Sequence, residues 1–179
     1  MRIVDLIDKK SVKLNLTSNE KLKVVDELVD LVDKSGNLSD KDEYKNAILD
    51  REELSTTAIG EGVAIPHAKN KSVKKACLAA GISKEGIDYE AFDSLSHLFF
   101  MIAAPDGANN THLEVLSRLS TILMDEDFRN DLIKSTEVDE FLDLINKKEN
   151  EKFPQEETEE IEDKIVEDNK STLPTILAV

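Results

Sequence analysis

Apolar residues recur at helical spacing along Leu22, Val25, Leu28, Val29 and Val32, and the pattern predicts a first long helix. Thr17 and Glu20 form a capping box ahead of it, and Gly36 falls where a C-terminal glycine cap belongs. A second helix is expected from Ser39, with Asp42 three residues on, through Tyr44, Ala47 and Ile48 toward Arg51. The period then changes. Residues 76–82 read as a strand, and Leu98-Phe99-Phe100-Met101-Ile102-Ala103-Ala104 is apolar throughout, the pattern of a central strand covered on both faces. Pro105-Asp106-Gly107 ends it as a turn. Thr111 and Glu114 make another capping box, opening a helix on which His112, Val115, Leu116, Leu119, Ile122 and Leu123 share one face. Thr136 and Asp139 open a last helix carrying Phe141, Leu142 and Ile145. Strands interleaved with paired helices predict an α/β fold: a three-layer α/β/α sandwich with a central mixed sheet, ending near residue 148.

Composition changes the picture beyond that point. Lys148 to Lys170 is acidic with few large apolar residues and reads as a solvated linker. The formal charge of the chain is −15, and residues 149–168 alone hold ten acids against two lysines. This balance argues against nucleic-acid binding, which needs concentrated Lys and Arg, and leaves basic protein partners open. Leu173-Pro174-Thr175-Ile176-Leu177-Ala178-Val179 turns apolar again. The expected division is therefore a domain over 1–148, a linker over 149–172, and the opening of a following domain over 173–179. A flexible tail with an apolar end is the alternative. No apolar run approaches the roughly 18 residues that span a bilayer, and the acids among the first eight residues break any signal-peptide core. Cys77 is the single cysteine, so an internal disulfide or a cysteine metal cage is excluded, and a cytoplasmic location is expected.

The candidate chemistry gathers around the histidines. Residues 56–67 run from a glycine-jointed turn (Gly60, Gly62) through a short apolar stretch to His67, directly behind Pro66. Proline fixes its own φ and restricts its predecessor, so His67 sits on a stiff mount. Such a histidine suits a nucleophile or general base, and equally a satisfied structural residue at a strand end. His112, taken as the first position of a helix capped by Thr111, sits where free N–H groups and the helix dipole favour an anion. Arg51, sixteen residues before His67, can bind a phosphoryl group through two parallel hydrogen bonds, or form a surface ion pair with Glu52 or Glu53. His97 lacks such a setting and reads as structural, and Cys77 as a small buried residue. With no Walker-type loop in the sequence, direct use of a nucleotide is not expected.

Residues 54–68, LSTTAIGEGVAIPHA, resemble the phosphohistidine signature of fructose- and mannitol-type enzyme IIA domains of the bacterial phosphoenolpyruvate-dependent sugar phosphotransferase system. Arg51 upstream, then Ala103-Ala104-Pro105, then residues 112–120, HLEVLSRLS, fit the same pattern in the same order, so the resemblance covers roughly residues 1–148. It implies that His67 takes a phosphoryl group from the phosphohistidine of the carrier HPr, at Nε2, and passes it to a cysteine of a IIB domain. Arg51 and His112 would flank the phosphoryl oxygens, and no cofactor or metal is called for. The terminal Thr175-Ile176-Leu177-Ala178-Val179 resembles the opening of a IIB first strand. The implied parent is a fused fructose-type permease, which would hold the domain at the membrane without any insertion of this chain. A regulatory IIA-like phosphorelay domain, nitrogen-related or attached to a transcriptional regulator, is the second reading. A metal-dependent hydrolase using His67 and His112 is the third, and the sequence offers no HExxH-type helix or close ligand cluster for it.

Overall fold

The computed structural model describes residues 2–154 apart from Asp93 and Ala108. A 3₁₀ turn (Ile3–Leu6) leads into β1 (Ile7–Lys13), α1 (Lys21–Asp33), α2 (Lys41–Leu54), β2 (Ala58–Gly60), β3 (Val63–Ala64), β4 (His67–Asn70), β5 (Cys77–Ile87), β6 (Ser96–Pro105), α3 (Thr111–Ile122), α4 (Glu126–Lys134) and α5 (Val138–Lys152). The predicted linker from 155 on and the predicted domain opening at 173–179 lie outside the described residues.

The sheet runs β1-β5-β6-β3-β2, with β4 also paired to β6. β6 is its hub, as its unbroken apolar run predicts: antiparallel to β5 on one side, parallel to β3 and β4 on the other. Side chains alternate across it. Leu98, Phe100 and Ile102 join one core with Val115, Leu119, Leu132, Phe141 and Ile145 of α3, α4 and α5. Phe99, Met101 and Ala103 join another with Val24, Leu28, Tyr44 and Ile48 of α1 and α2. Burying both faces gives the three-layer α/β/α sandwich expected from the sequence.

β3 and β4 are two pieces of one broken strand. Val63 pairs with Leu98 and Ala64 with Phe99; after the break His67 pairs with Ile102 and Ala68 with Ala103, in unchanged register. The break falls at Ile65-Pro66, where proline has no N–H for a ladder. Ile65 N–H donates instead to the Thr57 carbonyl, and the Pro66 carbonyl accepts from Ile102 N–H at 2.9 Å. The stiff mount of His67 is thus bonded to the central strand. Ile102 carbonyl in turn accepts from the Tyr44 hydroxyl at 2.9 Å, tying α2 to the same residue.

Several local expectations change. The Thr17–Glu20 capping box does not form: α1 begins at Lys21 without a side-chain cap, and Thr17 and Ser18 donate to Glu27. Leu22 is 65% exposed, because the buried face of α1 is centred on Val24, Leu28 and Leu31 and leaves Leu22 at its margin. α2 starts two residues later than predicted, with Asp40 accepting from Glu43 N–H as its cap. α3 starts at Thr111 behind Asn110, so the Thr111–Glu114 box is absent and His112 is the second residue of the helix. α5 starts at Val138, without a side-chain cap from Thr136. It also runs through Lys152, and Glu149 in its last turn is fully buried, holding Ile3 N–H, Arg118 and Arg2.

Candidate functional site

His67 opens β4, the strand that lies in the gap between α2 and α3. Ala68 belongs to the α1–α2 core, so the opposite parity of the strand, His67 and Lys69, faces the layer where α3 begins. The His67 Nδ1 lies 2.8 Å from the Ile65 carbonyl. A carbonyl oxygen only accepts, so Nδ1 carries the proton, and the neutral ring keeps its lone pair on Nε2. The half-buried imidazole is held at both ends, by Pro66 in the backbone and by Ile65 at the ring.

The sequence-predicted residues come together. His67, Arg51 and His112 line one cleft of about 760 Å³, with Ala47, Asp50 and Leu54 of α2, Ala68 and Lys69 of β4, and Leu113 and Leu116 of α3. Leu54 and Leu113 are exposed beside it, and exposed apolar side chains next to a cleft fit contact with a protein partner. Arg51 stands in the last turn of α2, where its Nη1 donates to the Ser55 carbonyl at 3.0 Å. Among the described residues it forms no ion pair with Glu52 or Glu53. Glu52 is turned inward instead, bonding Thr57 N–H at 3.1 Å, the Thr57 hydroxyl and Lys21 at 3.1 Å. That clamp fixes the connection between Arg51 and the turn leading to His67.

His112 lies in the first turn of α3, among backbone N–H groups that lack helical partners. Its Nδ1 is buried and has no hydrogen-bond partner. Burial, reinforced by the neighbouring Lys69 ammonium and the His67 ring, pushes its pKa below the ordinary histidine value. The shift favours its uncharged, hydrogen-bonding form at an anion-favouring helix end.

His97 and Cys77 stay apart. His97 Nδ1 donates to the Ser83 carbonyl at 2.9 Å, and its ring packs where a Cβ on Gly86 would collide with it. Cys77 is buried beside Ser35, and burial pushes its thiol pKa up, away from nucleophilic use. Among the described residues no three His, Cys, Asp or Glu side chains converge as a metal set. No described helix is long and apolar enough to cross a membrane. The residue that sequence reasoning missed is Lys69. Its signal was parity, two positions past His67, and it required seeing that residues 67–70 continue as a strand.

Comparisons with known proteins bear on the family and the fold. The family model described as phosphoenolpyruvate-dependent sugar phosphotransferase system, EIIA 2, matches residues 5–148. The fructose-specific EIIABC component of the phosphotransferase system of Bacillus subtilis (strain 168) is 54% identical over 147 residues, 82% of this chain and 23% of that protein. This chain therefore spans under a quarter of that relative. The fructose-specific EIIA component of Haloferax volcanii is 42% identical over 109 residues, 60% of this chain and 71% of that protein. A solved complex of enzyme IIAMTL and phosphorylated enzyme IIBMTL from Escherichia coli matches with a TM-score of 0.69 at 28% identity, covering 78% of this chain and 98% of that one. By its sequence match over residues 5–148 and its fold, the chain belongs to the EIIA type-2 family of the phosphoenolpyruvate-dependent sugar phosphotransferase system.

Proposed function

We propose that His67 carries a phosphoryl group between two protein partners, accepting it from phosphorylated HPr and passing it to a cysteine of a IIB domain. The observation that carries this reading is the hydrogen bond from His67 Nδ1 to the Ile65 carbonyl. It leaves Nε2 as the nucleophilic atom, in a cleft shared with Arg51 and His112. The lone pair of Nε2 forms the new N–P bond as the donor's N–P bond breaks and its electron pair stays with the donor nitrogen. The proton stays on Nδ1, still donated to the Ile65 carbonyl, so the ring keeps its orientation and becomes a phosphoimidazolium as the donor ring gives up that charge. Arg51 offers a charged fork to the phosphoryl oxygens and His112 an uncharged hydrogen bond. Positioning and charge stabilisation are what a protein supplies to phosphoryl transfer.

The parent protein, in this reading, is a fused fructose permease that holds this domain on the cytoplasmic side of a membrane. Support comes from the Bacillus relative, whose name joins IIA with B and C components under fructose specificity. The Escherichia coli complex supports a IIB partner, since it pairs a similar IIA with phosphorylated IIB. An acidic tether to IIB would raise the local concentration of the acceptor cysteine without adding any contact. Incubation with phosphoenolpyruvate, enzyme I and HPr, followed by intact mass measurement, is the test. One acid-labile phosphoryl group is expected on the wild type and none on His67→Ala. A label that persists in His67→Ala removes His67 from the relay.

A further inference from the structure

β4 turns two polar side chains to the cleft. Lys69 lies two residues beyond His67 on the same strand face and lines the same cleft as Arg51 and His112. Its Nζ donates to the Gly107 carbonyl at 2.9 Å, reaching from β4 to the turn between β6 and α3. Among the described residues no carboxylate pairs with it. An ammonium has three donors, so two remain for a ligand or for water.

The charges of the cleft give this lysine a role. Arg51 contributes one positive charge and Asp50, the acid of the lining, cancels it. His112 contributes a buried ring nitrogen without a partner rather than a fixed charge. Without Lys69 a phosphoryl group would enter a lining of no net charge. With it, the lining is positive on the side from which α3 presents its N-terminus. A lysine also acts as a mobile point charge, able to follow an oxygen that moves during transfer.

We propose that Lys69 is a third ligand of the phosphoryl group on His67, its ammonium moving from the Gly107 carbonyl to a phosphoryl oxygen as the N–P bond forms. The inference rests on His67 as the phosphoryl acceptor. It also makes the Gly107 carbonyl a reporter of the phosphorylation state, because that carbonyl loses its lysine partner when the group arrives.

The test is single-turnover transfer from phosphorylated HPr to the wild type, Lys69→Gln and Lys69→Arg, together with the Gly107 carbonyl carbon resonance before and after phosphorylation. Lys69→Gln is expected to be at least about tenfold slower, with most of the rate restored in Lys69→Arg. The Gly107 resonance is expected to shift on phosphorylation of the wild type and to stay put in Lys69→Gln. A Lys69→Gln rate within twofold of wild type overturns the inference. So does a slow variant in a protein whose wild-type Gly107 resonance never moves, since Lys69 would then be a loop tether alone. A wild type that takes no label from HPr refutes the reading of His67 instead.

Discussion

A ring proton held by a backbone carbonyl decides what His67 can do, and a similar small cluster decides what Glu27 does for stability. Glu27 accepts from Thr17 N–H at 3.0 Å, Ser18 N–H at 3.0 Å and both hydroxyls, and pairs with Lys13 at 2.6 Å. Burial alone would raise its pKa, but Lys13 and the donors of Thr17 and Ser18 outweigh it and lower the carboxyl from 4.5 to about 2. A depressed carboxylate contributes stability that is complete above its unfolded pKa and is lost as pH falls through its folded one. The window here runs from about 4.5 down to about 2. Glu27→Gln is expected to cost about 2 kcal/mol at pH 7, judged from charged hydrogen bonds elsewhere. Urea denaturation at pH 7 and pH 3 checks this: the gap between variant and wild type should narrow at the lower pH. An equal gap at both would mean that the charge of Glu27 is irrelevant.

Among the elements, the β2–β3 hairpin carries visible backbone strain. Glu61 and Gly62 join the two strands with φ of 56° and 77°, the sign pattern of a two-residue type I′ turn. Glycine suits the second position, but a glutamate in the left-handed region is disfavoured. Its contact with Arg129, 3.4 Å long with the acid 73% exposed, offsets little of that. Glu61→Asn, which installs the preferred Asn-Gly pair, should therefore raise stability by about 0.5–1 kcal/mol, measurable as a higher denaturation midpoint. A lower midpoint would show that the Arg129 contact matters more than the strain. The glycines of this turn were legible in the sequence, as were the central strand, the helices with wide apolar faces and the three residues of the cleft. The short strands were not. β1 reads Ile7-Asp8-Lys9-Lys10-Ser11-Val12-Lys13, an edge strand whose burial does not alternate. β4 is four residues with one core side chain, Ala68, so Lys69 could not be paired with His67 by pattern. α4 was hidden because its nine residues bury just Phe128, Arg129 and Leu132. Capping boxes misled for a related reason. A threonine three residues ahead of an acid bonds as a cap only when it ends up at the N-cap position. The side-chain caps that do form on α2 and α4 come from Asp40 and Asp125.

Across the whole molecule, the cleft is a local exception in a strongly acidic chain. Arg51 and Lys69 come from different elements, the end of α2 and strand β4, and converge because α2 packs beside that strand of the sheet. The same sheet fixes His67 through Pro66, whose carbonyl is bonded to β6, and fixes α2 through Tyr44, bonded to β6 at Ile102. His67 and the cleft's cations are thus held around one strand, which suits the proposed relay between two partners. The chemistry at the end of this chain of supports is specific to one atom. Phosphorus–nitrogen correlated NMR on the phosphorylated protein with labelled histidine reads that atom directly. A single phosphoryl group bonded to Nε2 of His67, with Nδ1 still protonated, is the predicted result. A phosphoryl group on Nδ1 of His67, or on any other residue, would contradict it.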